Sequence, residues 1–252
     1  MPEVMAGEPT PGGADAEASG RPTESKVKAI FGRIAPTYDL VNILASAGLD
    51  RGWRRRTVKL ARVGVDSRVL DLAAGTGDLT MAMARQGRPA QIVSTDFVVE
   101  MLDVARQKVA AYTGPTKITL EVADAQDLSQ FADASFEAVT VGFGVRNLPD
   151  RPANFREVHR VLGPKGRYCI LEFTRPPAAV VRAVYYWYLG AVVPALGGIV
   201  SGDRAAYQYL NDSIRQFPAQ QELAAELRAA GFSDVSYHDL TLGIVTVHVA
   251  TK

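Results

Sequence analysis

A chain of 252 residues with 47% apolar side chains is long enough for one sizeable α/β domain. Its 28 Lys and Arg against 27 Asp and Glu leave a formal charge of +1, which argues against a nucleic-acid partner held by concentrated positive charge. Its one cysteine, Cys169, excludes an internal disulfide framework, reads as a buried thiol in the apolar run Tyr168 to Leu171, and fits a reducing cytoplasm.

Residues 1–24 are rich in Pro, Gly, Ala and Glu, lack the apolar core of a secretion signal, and read as a disordered tail. Ser25 is a candidate cap for a helix over Lys26 to Gly32. A second short helix follows over Pro36 to Ser46. A third, over Asp50 to Arg62, carries Arg51, Arg54, Arg55, Arg56, Lys59 and Arg62. Residues 25–62 therefore form a helical cap ahead of a main domain at 63–252.

Strand and helix patterns then alternate. Arg68 to Leu72 is a first strand, and Asp78 to Gln86 a helix. Gln91 to Asp96 is a second strand, Met101 to Tyr112 a helix and Lys117 to Val122 a third strand. Phe136 to Val141 is a fourth strand. Arg151 to Leu162 is a helix stopped at Gly163-Pro164, and Gly166 to Phe173 a fifth strand. Alternation of this kind predicts a mostly parallel sheet covered on both faces. After a helix over Gln220 to Ala230, the strands Val235 to Leu240 and Ile244 to Ala250 lie too close in sequence for a parallel crossover, so the sheet ends in an antiparallel strand.

The first strand runs into Asp71-Leu72-Ala73-Ala74-Gly75-Thr76-Gly77-Asp78. A glycine turn between strand and helix lets a ligand approach the backbone closely. A dinucleotide fingerprint wants Gly or Ala three residues after its second glycine, where this chain has Thr80, and Asp78 at the helix start repels a pyrophosphate. S-adenosylmethionine has no phosphate and carries cationic sulfonium and ammonium groups, which suits Asp71 and Asp78. Asp96 ends the second strand, where a carboxylate can accept both ribose hydroxyl protons. Asp124-Ala125 follows the third strand, where carboxylate and backbone can read an adenine edge. Acidic residues at three successive strand ends share the edge where open α/β sheets bind ligands.

Other segments resemble a specific family. Tyr38-Asp39-Leu40-Val41-Asn42 with Ser46 to Arg54, and Gly142-Phe143-Gly144-Val145-Arg146-Asn147 through Gly166, are similar to the two signatures of the ubiquinone/menaquinone biosynthesis C-methyltransferases. Tyr207 to Leu210, Phe217-Pro218 and Leu240 to Val245 continue the likeness, which runs from about residue 26 to the end. The chain departs at Asp50, where the family often has His, and at Gly142, where it often has Ser; a backbone group at 142 can still meet the cofactor. The resemblance implies a Rossmann-like class I methyltransferase fold, with a mostly parallel seven-stranded sheet, an antiparallel terminal strand and N-terminal helices. It implies S-adenosylmethionine as methyl donor, no metal, and cofactor contacts from Asp71, Gly75, Thr76, Gly77, Asp96, Asp124, Ala125 and Gly142. The acceptor it implies is a ring carbon of a polyprenylated hydroquinone, with demethylmenaquinol preferred to the benzoquinol precursor of ubiquinone. Another phenolic acceptor, and in a different class a nucleotide-binding oxidoreductase or a non-catalytic cofactor-binding protein, are the competing readings.

Methylating an aromatic carbon calls for electron density from an ortho phenolate. A phenol with a pKa of about 10 is ionised to roughly one part in a thousand at neutral pH. Arg146 is a phenolate stabiliser and, being always protonated, a poor base; Asn147 orients the acceptor. Tyr38 and Asp39 are expected on the acceptor side. His159, His238 and His248 read as surface or core residues, so the base has no candidate. Residues 183–200 are uncharged and include Tyr185, Tyr186, Trp187 and Tyr188, and an apolar lid at about 176–215 touching a membrane surface fits better than a span. The expected location is the cytoplasm, with contact at the inner face of the cell membrane; a homodimer is a further expectation.

Overall fold

The computed structural model describes residues 23–252. The expected N-terminal tail falls mostly on residues 1–22, outside the described residues. Helix α1 (Glu24–Ile34) takes Thr23, in extended conformation, as its N-cap instead of Ser25, which lies inside the helix. Val27, Ile30 and Ile34 form its buried stripe. Pro36 lies in a 3₁₀ turn over Ala35–Thr37, and α2 (Tyr38–Ser46) starts after it. Left-handed Ala47 and Gly48 reverse the chain into α3 (Asp50–Ala61). This basic helix is not a uniform charged face. Arg51, Arg55, Arg56 and Lys59 are exposed, whereas Trp53, Arg54 and Val58 are buried.

The main domain follows the expected alternation: β1 (Arg68–Leu72), α4 (Asp78–Gln86), β2 (Gln91–Asp96), α5 (Val99–Ala110), β3 (Lys117–Val122), β4 (Phe136–Gly142), α6 (Arg151–Val161) and β5 (Leu162–Phe173). Helices α7 (Ala179–Ser201), α8 (Arg204–Gln216) and α9 (Gln220–Ala229) lead to β6 (Asp234–Leu240) and β7 (Val245–Thr251). The seven strands are ordered β3-β2-β1-β4-β5-β7-β6. Strands β1 to β5 pair in parallel, and β7 runs antiparallel between β5 and β6, as expected for the end of the sheet.

The expected fifth strand starts at Gly166, and the observed one at Leu162. Phe136 pairs with Leu162 but Ala138 pairs with Arg167, so residues 163–166 loop out of the ladder. Lys165 at φ 62° makes the turn, and a Cβ on Gly166 would come within 2.8 Å of the Gly163 carbonyl.

One face of the sheet packs on α6 and α9 through Phe155, Val158, Leu223 and Leu227. The other packs on α3 and α4 through Trp53, Val58, Leu79 and Met83. A separate core joins α1, α2, α7 and α8 to Val98 and Met101, just past the end of β2. These four helices therefore sit over the carboxyl ends of the strands. The segment read as a lid, at about 176–215, folds into α7 and most of α8, with Pro194 inside α7. It turns at left-handed Gly202, and Asp203 caps α8 by accepting the Ala206 N–H at 3.0 Å.

Candidate active site

The sheet changes winding direction between β1 and β4, and a cleft of about 1000 Å³ opens at that point. Five carboxylates line it (Glu24, Asp71, Asp78, Asp96 and Asp124) against one guanidinium, Arg54. Gly75, at φ 57°, turns the chain out of β1, and the direction a Cβ would take from it is open space. Gly77, at φ 79°, caps α4 and does a different job: a Cβ there would lie 3.1 Å from that of Ala105, so its bareness lets the loop pack on α5. Gly144 packs closer still, with Ala73 and Val141 both under 3 Å from its notional Cβ.

The acidic residues differ in how free they are. Asp71 is fully buried, and its two oxygens accept the hydroxyls of Thr80 and Thr140, both at 2.6 Å. Burial pushes its carboxyl up to about 6, against the pull of those hydroxyls. Asp71 therefore reaches the cleft wall already committed to holding the β1–α4 turn. Asp96 accepts the Gly75 N–H at 2.8 Å and the Val98 N–H at 2.9 Å, and burial pushes it to about 6 as well. Each oxygen keeps lone pairs for a ligand. Asp124 accepts the Gln126 N–H at 2.9 Å, and Ala125 is locked behind it by Asn154, which donates to its carbonyl at 2.6 Å.

A second cavity, of about 1070 Å³, lies between the cap and β5. Its walls are mainly apolar and aromatic, among them Ile30, Trp53, Phe173, Tyr185, Leu189 and Val193. Phe31, Tyr38, Arg54 and Phe143 line both cavities, so the two meet there. Phe143 is held at φ 59°, a conformation that costs a bulky residue and recurs at functional sites.

Arg146 and Asn147, adjacent in sequence, serve different cavities. Arg146 lines the apolar one and Asn147 the acidic one. Arg146 is not a free cation. Its Nη1 lies 2.6 Å from Oε1 of Glu172, at the end of β5, and donates to the Phe143 carbonyl at 2.6 Å; its Nε is buried without a partner. Burial pushes the Glu172 carboxyl up and Arg146 pulls it down, with a net rise; burial lowers Arg146, but Glu172, Tyr38 and Tyr209 together raise it. Asn147 accepts the Tyr209 hydroxyl at 3.1 Å.

The sequence reading sets Tyr38 and Asp39 together on the acceptor side, but the structure separates them. Tyr38 lies between the cavities, its phenol raised by burial. Asp39 points to the glycine loop, accepting the Thr76 hydroxyl at 2.5 Å and pairing with Lys108 at 2.6 Å. Successive helical residues point about 100° apart, which sends one side chain to the cavities and the other to the loop. Lys108 also reaches Asp78 at 2.5 Å, and Arg54 reaches Asp78 at 3.1 Å and pairs with Asp50. Asp78 thus ties the cap to the glycine loop. Sequence reasoning missed Glu172, although a carboxylate in the apolar run Tyr168 to Phe173 is a visible signal.

Residues 20–252 match the ubiE/COQ5 methyltransferase family. The chain belongs to that family. A curated relative named ubiquinone/menaquinone biosynthesis C-methyltransferase UbiE, from Geotalea daltonii, is 41% identical over 90% of this chain and 96% of its own. A demethylmenaquinone methyltransferase from Thermus thermophilus is 44% identical over 88% of this chain and 100% of its own. Among solved structures, a SAM-dependent methyltransferase from Thermotoga maritima is 16% identical with a TM-score of 0.62, over 89% of this chain and 99% of that one. That likeness bears on the fold, and it agrees with the expected class I methyltransferase architecture. In this ubiE/COQ5 chain both signature segments, Tyr38–Asn42 and Gly142–Asn147, border the junction of the two cavities.

Proposed function

We propose that this protein transfers a methyl group from S-adenosylmethionine to a ring carbon of demethylmenaquinol, giving a menaquinol. The observation that carries the reading is the meeting of an acidic cleft and an apolar cavity at Phe31, Tyr38, Arg54 and Phe143. Each half fits one partner. Five carboxylates against one guanidinium suit a cationic ligand without phosphate and disfavour a dinucleotide. The open face of Gly75 admits a ligand against the backbone, and Asp96 keeps acceptor capacity for ribose hydroxyls. Asp124 and Ala125 are the proposed adenine readers, with Thr76 and the Gly142 backbone completing the wall. When bound, the donor supplies a methyl group made electrophilic by a sulfonium.

The protein's own part is to position and polarise the acceptor. The apolar cavity takes the ring and the first prenyl units and excludes water, so a charge placed there acts at full strength. Glu172 fixes the Arg146 guanidinium by Nη1, leaving Nε–H to stabilise the acceptor phenolate. Asn147, held by Tyr209, orients the ring from the side of the cofactor cleft. Labelled S-adenosylmethionine with reduced demethylmenaquinone, run beside the benzoquinol precursor of ubiquinone, tests the proposal. Faster methylation of the naphthalene ring is expected. Preference for the benzoquinol would move the protein to the ubiquinone branch, and labelling of neither would overturn the reading.

A peripheral contact with the membrane is part of the proposal. Leu49 lines the acceptor cavity yet is half exposed, so it marks the mouth. Leu40 and Leu44 on α2, Val180, Val184 and Trp187 on α7, and Leu242 are exposed as well. Helix α7 is long and apolar enough to cross a membrane by length and composition. Its buried residues Tyr185, Leu189, Val193 and Gly197 pack within the cap, which favours a helix lying at the interface.

A further inference from the structure

The buried face of α7 consists of Tyr185, Leu189, Val193, Pro194 and Gly197. The Tyr185 hydroxyl is the only side-chain polar atom on that face. Tyr185 is 6% exposed, lines the apolar cavity, and its hydroxyl has no hydrogen-bond partner in the protein. A buried hydroxyl without a partner carries an uncompensated desolvation cost that a phenylalanine of the same shape would avoid. Its presence is explained if the missing partner arrives with a ligand.

The surroundings say what kind of ligand. Arg146 Nε is another unpartnered donor among the cavity-lining residues, and Arg146 and Glu172 are the charges that act most strongly on the Tyr185 hydroxyl. The one carboxylate in the cavity lining, Asp50, is already committed to Arg54, and Glu172, which does not line the cavity, is committed to Arg146. Tyr207, the other cavity tyrosine whose hydroxyl has no partner within hydrogen-bond distance, has Ser201 and Asp203 at the α7–α8 turn and Tyr38 as its polar neighbours. Covered donors without partners thus border an apolar, aromatic enclosure. That is the complement of an apolar ring bearing oxygen acceptors, and it offers nothing to a ring without them.

We propose that Tyr185 donates its hydroxyl to one ring oxygen of the bound hydroquinone and so selects acceptors that carry oxygen at that position. This rests on the hydroquinone reading of the apolar cavity. It makes Tyr185 a specificity residue of the acceptor site, on an element remote in sequence from both signature segments. No proton need leave Tyr185, whose pKa is pushed up by burial, so the hydroxyl acts as a permanent donor.

The test uses the full chain and three probes bearing the same short prenyl group: reduced 1,4-dihydroxynaphthalene and the two monohydroxy isomers that each lack one oxygen. Affinities are measured anaerobically for the wild type, Tyr185→Phe and a control, Tyr186→Phe. Tyr185→Phe is expected to lose about tenfold in affinity for the dihydroxy probe and for one monohydroxy isomer. It should be unchanged on the other isomer and in S-adenosylmethionine affinity, while the control matches the wild type on all. Its melting temperature should equal or exceed that of the wild type. Equal losses on both isomers, no loss on either, or a clear drop in melting temperature would each overturn the role of Tyr185 and leave the hydroquinone reading standing. Failure of the wild type to bind any probe while it binds S-adenosylmethionine would overturn both.

Discussion

Arg146 Nη1 lies 2.6 Å from Glu172 Oε1, and neither side chain is more than 2% exposed. Glu172 also accepts the backbone N–H of Arg146 at 3.2 Å and of Phe173 at 2.9 Å. Removing one partner leaves a buried charge, which costs about 3–5 kcal/mol, whereas replacing both by apolar residues is often close to neutral. Arg146→Met and Glu172→Gln should therefore each lower stability by about 3 kcal/mol or more in urea unfolding. The double variant Arg146→Met/Glu172→Leu should recover most of that loss while remaining inactive. Arg146→Ala confounds catalysis with folding, so Arg146→Lys is the better variant for turnover. If either single variant were as stable as the wild type, the pair would not be held as described.

Asp96 gives a pH dependence. Its carboxyl rises from an ordinary 3.8 to about 6 because it is buried. The folded state therefore holds this proton more tightly than the unfolded chain. Its contribution to stability is fully present below about pH 4 and is lost as pH rises through about 6. Cofactor binding runs the other way, since only the ionised carboxylate can accept two ribose hydroxyls. Affinity for S-adenosylmethionine should climb as pH rises through about 6 and level off above 7. Calorimetry between pH 5 and 8 should show this for the wild type. Asp96→Asn should bind weakly with that step gone, and an unchanged step would assign it to another group.

The sheet and its acidic rim were legible because periodicity and strand-end position are local properties. Asp71 and Asp96 lie at the carboxyl ends of β1 and β2 and Asp124 just beyond β3, and their shared edge follows from parallel winding alone. What each one does there was not legible. Asp71 is occupied by Thr80, nine residues on, and by Thr140, 69 residues on; only the paired β1 and β4 strands bring the second within reach. Asp39 shows the same limit, because its partners Thr76 and Lys108 lie on the loop and helix that the cap folds onto. The apolar cavity was the least legible part. It is built from α1, α2, α7 and α8, whose mutual packing no local pattern specifies. The family signatures point to Tyr38 and Arg146 for a quinol, but much of the remaining wall comes from α7 and α8.

Gly197 controls how tightly that wall closes. A Cβ there would come within 2.0 Å of the Tyr207 ring, far inside contact distance. Tyr207 lines the acceptor cavity, so Gly197→Ala must displace either the ring or the helix pair. The expected result is a KM for the quinol raised about tenfold or more with S-adenosylmethionine affinity unchanged, because Gly197 and Tyr207 are absent from the acidic cleft. Steady-state kinetics with each substrate varied in turn distinguishes this from a general loss of fold, which would weaken both together.

Val180, Val184 and Trp187 recur at spacings of four and three, so they share one stripe of α7, and they are 77%, 61% and 65% exposed. Tyr188, next to Trp187, donates its hydroxyl to the Ala45 carbonyl at 3.0 Å, which fastens α7 to α2 and brings Leu40 and Leu44 into the same neighbourhood. Leaving these side chains in water wastes apolar area that a bilayer would bury, at roughly 1.5–3 kcal/mol per large residue fully transferred. A prenylated acceptor itself resides in lipid, so a cavity mouth at Leu49 facing the bilayer shortens its route to the site. The paired substitution Val184→Ser/Trp187→Ser should lower partitioning onto vesicles of mixed phosphatidylglycerol and phosphatidylcholine by about tenfold or more. Sedimentation with the vesicles measures it. Turnover of a short-chain acceptor in detergent should be unaffected, since neither residue lines a cavity, while turnover of a long-chain acceptor presented in vesicles should fall with the binding. Equal vesicle binding by the paired variant and the wild type would remove α7 from the membrane contact and leave the exposed arginines of α3 to account for any that remains.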